Sequence, residues 1–323
     1  MSIDELVQNL RTHPGVTRKA EVSAVANELL TVPEGIIVAT HGEDAAAIEL
    51  DGRIILLAAD GIMEDLVKAN PYWAGYCSVL VNVNDIAAMG GSPLAIVDVL
   101  SCGNPHVRSE IVSGMRAASE KTGVPIVGGH LHPDASYCAV DVAVLGETDK
   151  QHLILSSGAS SGDTVIFAMD LDGHFTPGIP YSWDTTSAKD SDAVRRGVMS
   201  MHAVGSMVSA GKDISSPGAL GTLGMLLEAS ACGAKVDVGA IPRPDDVDLL
   251  QWLKAYQGCG FVVTSADNVS EKVVAELGKR GLTAAVCGQV EAGSRLVVEM
   301  GRESAELFDL SVDTLGCRPP QRI

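Results

Sequence analysis

A chain of 323 residues with 46% hydrophobic and 20% charged side chains has the composition of a globular protein and the length for two domains. Its net charge of −18 disfavours nucleic acid as a partner, because a phosphate backbone demands a basic footprint. No apolar stretch is long enough to span a membrane, and Met1, Ser2, Ile3, Asp4 and Glu5 lack the basic and apolar regions of a signal peptide, so a cytoplasmic protein with no membrane partner is expected.

In chain order, residues 22–30 read as a short amphipathic helix and 36–40 as a strand. The runs AAAIEL and RIILLAAD flank Asp51 and Gly52, and a DG pair between apolar runs is a hairpin signal. A helix opens at Asn70, with Pro71 in its first turn, and ends before Gly90 and Gly91. Asn104 and Pro105 open another, with Val107, Ile111, Met115 and Ala118 on one face. Strands follow at VPIVGG (124–129) and CAVDVAVLG (138–146). SSGASSGD (156–163) is the linker between an expected domain over 1–150 and a second over 151–323. Beyond it come a strand TVIFAMDL, a polar loop over 170–190 and a long helix over 193–210. GKDISSPGALG then leads to a helix TLGMLLEAS, and GFVVT, NVSEKVVAELGKRG and LTAAVCGQV read as strand, helix, strand. Each half mixes strands and helices, so the class is α+β. Seven cysteines with no CxxC pair argue against a disulfide framework or structural zinc and for buried reduced thiols.

Three features carry chemistry. In VNVNDIAAMGG (81–91), Asp85 is the only charged side chain between Ala69 and Val97. A charge in an apolar element neutralises or finds a partner. On a regular helix it shares a stripe with Ser78, Asn82 and Met89, which either faces a site or holds a satisfied buried Asp. A two-residue turn at 51–52 pairs Leu50 with Arg53, hence Glu43 with Asp60, and sets Asp44 diagonally across. Like charges so placed destabilise a sheet. They either splay into water or are bridged by a divalent cation, and oxygen donors suit Mg²⁺, Mn²⁺ or Ca²⁺. Finally, the 170–190 loop is long enough to imply a role, lining or covering a small-molecule acceptor site through His174, Tyr181, Trp183 and Asp184. Two smaller signals stay open. His130 and His132 are either packed strand-end residues or a phosphate or metal contact, with Gly128 and Gly129 allowing close backbone approach. Gly218, Gly221 and Gly224 serve either close helix packing or a phosphate cradle. The chain contains no P-loop, no kinase HRD or DFG set and no GxGxxG.

GEDAAAI, LLAADGIMED, NVNDIAAMGGSP and VPIVGGHLHPD resemble, in order and spacing, the N-terminal motifs of the AIR synthase-like superfamily. SGASSGD, KDISSPGALGTLGMLLEAS, IPRP and CGQV resemble its C-terminal motifs, so the likeness spans roughly residues 16–300. That superfamily includes aminoimidazole ribonucleotide synthetase, formylglycinamidine ribonucleotide synthetase, thiamine-monophosphate kinase, selenophosphate synthetase and HypE. GGHLHPD, KDISSPG and GTLGMLLE are most similar to its methanogenesis-marker subgroup and uncharacterised bacterial relatives.

The resemblance implies two α+β domains: an N-terminal mixed sheet that forms a homodimer and a C-terminal α/β sandwich. It implies ATP in a cleft at the dimer interface and Mg²⁺ held by acids. By motif, Asp44, Asp60 and Asp85 are the metal ligands. Glu43, Asn82, Gly128, Gly129 and His130 complete the cofactor-binding set, and Asp85, His130 and Asp213 are the catalytic candidates. Three departures stand out: Glu43 and His130 where Asp is usual, and Ser216 in place of the second acid of D-I-S-D-G-G-L. The last leaves open whether a second-domain metal site survives. No Cys precedes Cys77, unlike selenophosphate synthetase, and the tail GCRPPQRI carries Cys317, a weak match to the HypE carrier tail. The implied function is an ATP- and Mg²⁺-dependent enzyme that activates an amide, carbonyl or phosphate oxygen of a small metabolite by phosphoryl transfer. Its outcome as kinase, ligase or dehydratase is open. The alternatives are a thiamine-monophosphate kinase-like phosphotransferase or a non-catalytic nucleotide-binding regulatory or assembly subunit.

Overall fold

The computed structural model describes residues 1–29, 37–39 and 41–318. Three helices open the chain: α1 (Ile3–Arg11), α2 (Pro14–Thr17) and α3 (Lys19–Leu29). α1 was not foreseen, although Ser2 and Glu5 form a capping box that announces it. The first sheet comprises β1 (Ile37–Ala39), β2 (Ala46–Leu50), β3 (Arg53–Gly61), β4 (Ser92–Cys102), β5 (Ile126–His132) and β6 (Cys138–Thr148). Its order is β1-β2-β3-β6-β4-β5, with only β4 and β5 parallel. The turn at Asp51 (φ +50°) and Gly52 (φ +81°) needs two left-handed residues, which is why an Asp-Gly pair sits there. Leu50 pairs with Arg53 as the turn predicts, and the ladder runs to Ala46 opposite Leu57.

Between these strands lie α4 (Glu64–Ala69), α5 (Pro71–Ala88) and α6 (Pro105–Thr122). Asn70 caps α5 by accepting from Trp73 N–H, and Asn104 caps α6 by accepting from His106 and Val107 N–H. α5 is buried nearly all round, packed between α6 and the sheet face carrying Ile54, Leu56, Val142 and Val144. The helices touch through glycine: a Cβ on Gly75 would meet the Ile111 carbonyl oxygen at 2.0 Å, and one on Gly114 the Tyr72 oxygen at 1.9 Å. Gly114→Ala should therefore cost about 1–3 kcal/mol by forcing α5 and α6 apart. Chemical denaturation of the variant checks this, and a change below ~0.5 kcal/mol would contradict it. The other sheet face is exposed and apolar, with Leu57, Val97, Val99 and Leu145 uncovered.

The second sheet uses β7 (Thr164–Met169), then, after a two-stranded β8 (His174–Phe175) and β9 (Trp183–Asp184), β10 (Ala210–Asp213), β11 (Gly233–Asp237), β12 (Gly260–Ser265), β13 (Thr283–Glu291), β14 (Arg295–Met300) and β15 (Glu303–Asp309). Its order is β10-β12-β7-β13-β11-β14-β15. The helices here are α7 (Ser191–Val198), α8 (Ser200–Val204), α9 (Gly218–Ser230), α10 (Leu249–Leu253) and α11 (Asp267–Lys279). β7 is buried on both faces: Ile166 and Ala168 join one core, and Val165, Phe167 and Met169 the other. Ile3, Leu6 and Leu10 of α1 pack into this second core beside β15, so the first residues of the chain lie with its C-terminal half.

Two expectations are corrected. The helix over 193–210 is broken into α7 and α8, and residues 210–213 instead pair with β12, a demand of the sheet that no local signal shows. Cys102 and Cys138 are not reduced thiols: they face each other in the β4–β6 register and form a disulfide. Their separation of 36 residues hides a cross-strand neighbour. Five cysteines are free, as expected.

Candidate active site

Three segments meet beside the C-terminal end of α5. Its stripe brings Asp85 and Asn82 against β3. The loop before β2 brings Asp44, and the end of β10 brings Asp213 across from the second sheet. Carboxylate oxygens of Asp44, Asp85 and Asp213 lie within 4.8 Å of one another. Asp60 lines the same narrow cleft, of about 110 Å³, with Asp85 and Asp213.

Crowding governs the electrostatics. Burial, then the charges of Asp213, Asp44 and Asp60, push the Asp85 carboxyl well above the usual range. Burial and Asp44 push Asp213 up to about 8. Asp60 is exposed by surface area but hemmed in by the cleft walls, which displaces its pKa upward, while the Gly61 N–H and Lys19 oppose the shift. Lys212, only 2% exposed, is the counter-charge. Its ammonium donates to Asp44 Oδ1 and to the Gly42 carbonyl (3.2 Å). Burial is the largest single influence and works against the charged form, but Asp44, Cys317 and Glu43 together outweigh it and the lysine pKa rises. Lys212 went unnoticed in the sequence, although a lysine within AGKDI, directly before the conspicuous Asp213, was the available signal.

Three close carboxylates with only oxygen to offer suit a hard divalent cation, and the absence of nitrogen or sulfur donors in the cluster argues against a soft metal there. Without a cation the cluster has to hold protons. Folded Asp213 keeps a proton that an unfolded Asp, titrating near 4, would release. The native state therefore binds more protons between about pH 4 and 8, so the contribution of this group to stability is full below about pH 4 and is lost progressively as pH rises to and through about 8. Metal-free protein should lose up to ~1.4 kcal/mol per pH unit for each proton concerned across that window. Thermal melts in EDTA at pH 5, 6.5 and 8 check the slope. Saturating Mg²⁺ should flatten it, and a slope of opposite sign would refute the crowding described.

The other expected residues fall as follows. Asn82 spends its side chain on the scaffold: Oδ1 accepts from Asp60 N–H (3.1 Å) and Nδ2 donates to the Ser78 carbonyl (2.8 Å). Glu43 does not face Asp60; Oε2 accepts from the Ser156 N–H (2.6 Å) and hydroxyl (2.7 Å), because the chain leaves the ladder at Ala46. Ser216 lines the acid cleft, and its carbonyl lies 3.2 Å from His13 Nε2. His130 is outside this cleft, on edge strand β5 opposite exposed Val99, with its ring 4.7 Å from that of His132. Gly129 and His130 line a groove with Asp98 and Arg108, and Gly128 registers with Val97. Gly218, Gly221 and Gly224 serve packing, since a Cβ on each would meet Leu253, Pro217 and Leu315 at 2.1, 2.5 and 2.5 Å.

In the 170–190 loop, Trp183 and Asp184 are core residues. Trp183 packs edge-on against Trp252 and donates from Nε1 to the Asp170 carbonyl, while Asp184 accepts from the Thr186 and Ser187 N–H groups. His174 is exposed, and Tyr181 stacks on Tyr256. Other loop residues, Asp170, Asp172 and Lys189, line a separate cavity of about 320 Å³. Cys317 is no mobile carrier: it is buried, its N–H donates to Glu228 Oε2 (2.8 Å), and burial pushes its thiol up to about 11.

Residues 42–148 match the family described as AIR synthase related protein, N-terminal domain, and 179–301 its C-terminal domain. The uncharacterized protein MJ0640 of Methanocaldococcus jannaschii is 39% identical over 98% of this chain and 100% of its own length. Selenide, water dikinase of Pseudomonas putida is 28% identical over 72% of this chain and 69% of the enzyme. Among solved structures, T. maritima PurL complexed with ATP superposes with a TM-score of 0.72 at 18% identity, covering 86% of this chain and 47% of PurL. AaThiL complexed with AMPPCP and TMP gives a TM-score of 0.61 at 17% identity, covering 83% of this chain and 91% of AaThiL. The chain thus spans about half the length of the PurL structures, and these likenesses are of fold.

Proposed function

The chain belongs to the AIR synthase-related family, and from that premise we propose that it is an ATP- and Mg²⁺-dependent enzyme that transfers a phosphoryl group to an oxygen of a small metabolite. The observation that carries this reading is the convergence of Asp44, Asp85 and Asp213 from three chain segments in one cleft. The selenide, water dikinase relative and the PurL fold solved with ATP support a nucleotide there.

Asp85 and Asp213 hold the cation, with Asp44 fixed beside them by Lys212 and Asp60 at the rim. Bound Mg²⁺ supplies charge neutralisation for the phosphate chain. Lys212 keeps the cluster from carrying all its negative charge uncompensated, and the Asn82 clamp fixes β3 against α5 so that Asp60 and Asp85 stay in register. Asp85 and Asp213 are the groups nearest the chemistry, and His130, outside the cleft, belongs to the proposed subunit interface. The exposed apolar sheet face of Leu57, Val97, Val99 and Leu145 supports a homodimer formed by that face.

Isothermal titration with ATP and Mg²⁺, followed by ADP release against a metabolite panel, tests the proposal. Mg²⁺-dependent binding and turnover on one class of acceptor are expected. Absence of nucleotide binding would sink the enzyme reading, and binding without turnover on a broad panel would favour a regulatory subunit.

A further inference from the structure

The acid cleft has a second set of lining residues. Arg18 and Lys19, at the junction of α2 and α3, and Tyr256 and Gln257, at the corner before β12, face the same space as Asp60, Asp85 and Asp213. Tyr256 is fixed in every respect except one. Its N–H donates to the Tyr181 carbonyl (2.9 Å), its carbonyl accepts from Trp183 N–H (3.2 Å), and its ring stacks on Tyr181 at 5.1 Å. Gln257 is held at φ +78°, a left-handed conformation that is costly for a residue with a Cβ. It is pinned there because Asn84 Nδ2 donates to its carbonyl (3.3 Å) and its Oε1 accepts from the Ser182 hydroxyl. The Tyr256 hydroxyl, on a residue only 8% exposed, makes no hydrogen bond of ordinary geometry and lies beside the phenol of the stacked Tyr181.

A buried hydroxyl left unpaired is rare and unfavourable, and a strained corner persists only where its surroundings over-determine it. Both observations make sense if the hydroxyl is reserved for a ligand. The cations say what kind. In a chain with 41 acids against 23 lysines and arginines, Arg18 and Lys19 stand together in this cleft, and neither forms an ion pair among the described residues. Arg18 Nη1 donates to the Met63 thioether (3.0 Å) instead.

We propose that Arg18, Lys19 and the Tyr256 hydroxyl form an anion-recognition subsite for the acceptor, which is a small molecule bearing a carboxylate or phosphate group. The subsite deepens, and rests on, the nucleotide-dependent reading above. The phenol donates a hydrogen bond to an anionic oxygen, the two cations, which also act on Asp60, set its charge preference, and Asp85 and Asp213 remain free for the metal. Tyr256 is then a specificity-determining residue.

Inorganic phosphate and succinate are the probes, titrated calorimetrically into the full chain saturated with Mg²⁺ and AMPPCP. Wild type should bind one of them. Tyr256→Phe and Arg18→Gln should each weaken that binding about tenfold, with AMPPCP affinity held within about twofold. Preference for phosphate marks a phosphorylated acceptor, and preference for succinate a carboxylate. Three results overturn the subsite: no anion binding to wild type, unchanged anion binding in both variants, or a parallel loss of AMPPCP binding, which would assign these residues to the nucleotide. If wild type fails to bind AMPPCP, the enzyme reading falls instead. The same anion titrations on nucleotide-free protein then decide the subsite alone: loss in the variants upholds it, and no loss overturns it.

Discussion

Asp85→Asn is expected to lower Mg²⁺-dependent nucleotide binding by about a hundredfold or more while the fold is retained. Substitutions one step removed from a metal already cost about ten- to a hundredfold in affinity, and Asp85 is proposed above as a ligand itself. The amide keeps the shape of the carboxylate but not its charge. That also predicts a gain. Metal-free Asp85 sits among Asp44, Asp60 and Asp213 in a buried cluster that resists ionisation. Asparagine is neutral without binding a proton, so that cost disappears and the melting temperature in EDTA at pH 8 should rise, by ~2–4 °C for each kcal/mol recovered. Calorimetric titration and thermal melts on the same preparation separate the two effects. Wild-type affinity in the variant would remove Asp85 from the metal site. A fall in melting temperature with lost circular dichroism would mean that Asp85 supports the fold instead.

The second large effect concerns Lys212. Lys212→Met should destabilise the metal-free protein by about 3–5 kcal/mol, because it leaves the Asp44 carboxylate buried without its partner. The attraction itself is not the source of that figure. Pairing offsets a desolvation that the fold has already imposed, so removing both charges should be far milder than removing one. Lys212→Met with Asp44→Asn is therefore expected to recover most of the loss. Mg²⁺ should also rescue the single variant more than wild type, since a bound cation takes over the neutralising role. Denaturant titration of the two single variants and the double variant gives the coupling directly. Additive effects would show that the clamp between the two halves does not behave as a pair.

These expectations could be formulated only in part before the fold was known. The DG turn, the Asn-Pro helix starts and the lone charge of Asp85 were legible, because each is written within a few residues. Turn chemistry fixes two φ angles, a cap satisfies its own first turn, and helical spacing sets one stripe. The hairpin register extended correctly from Leu50 to Ala46, and there the inference ended. Three residues further out Glu43 leaves the ladder for Ser156, which lies 113 positions away. Trp183 and Asp184 looked like ligand groups in a polar loop, yet the second core and the local N–H groups claim them.

The sequence by itself determined the first hairpin and the helices α5 and α6, the α+β class, the family and the isolation of a carboxylate on an apolar helix. Those follow from short-range rules and ordered motifs. The tertiary structure alone decided which groups share that carboxylate's space. It swung β10 beside the loop before β2, bringing Asp213 and Lys212 to Asp44, and set the strained corner at Gln257 that aims Tyr256 into the cleft. Such neighbours are chosen by how two sheets pack around a shared helix, a long-range outcome that no stretch of ten residues contains.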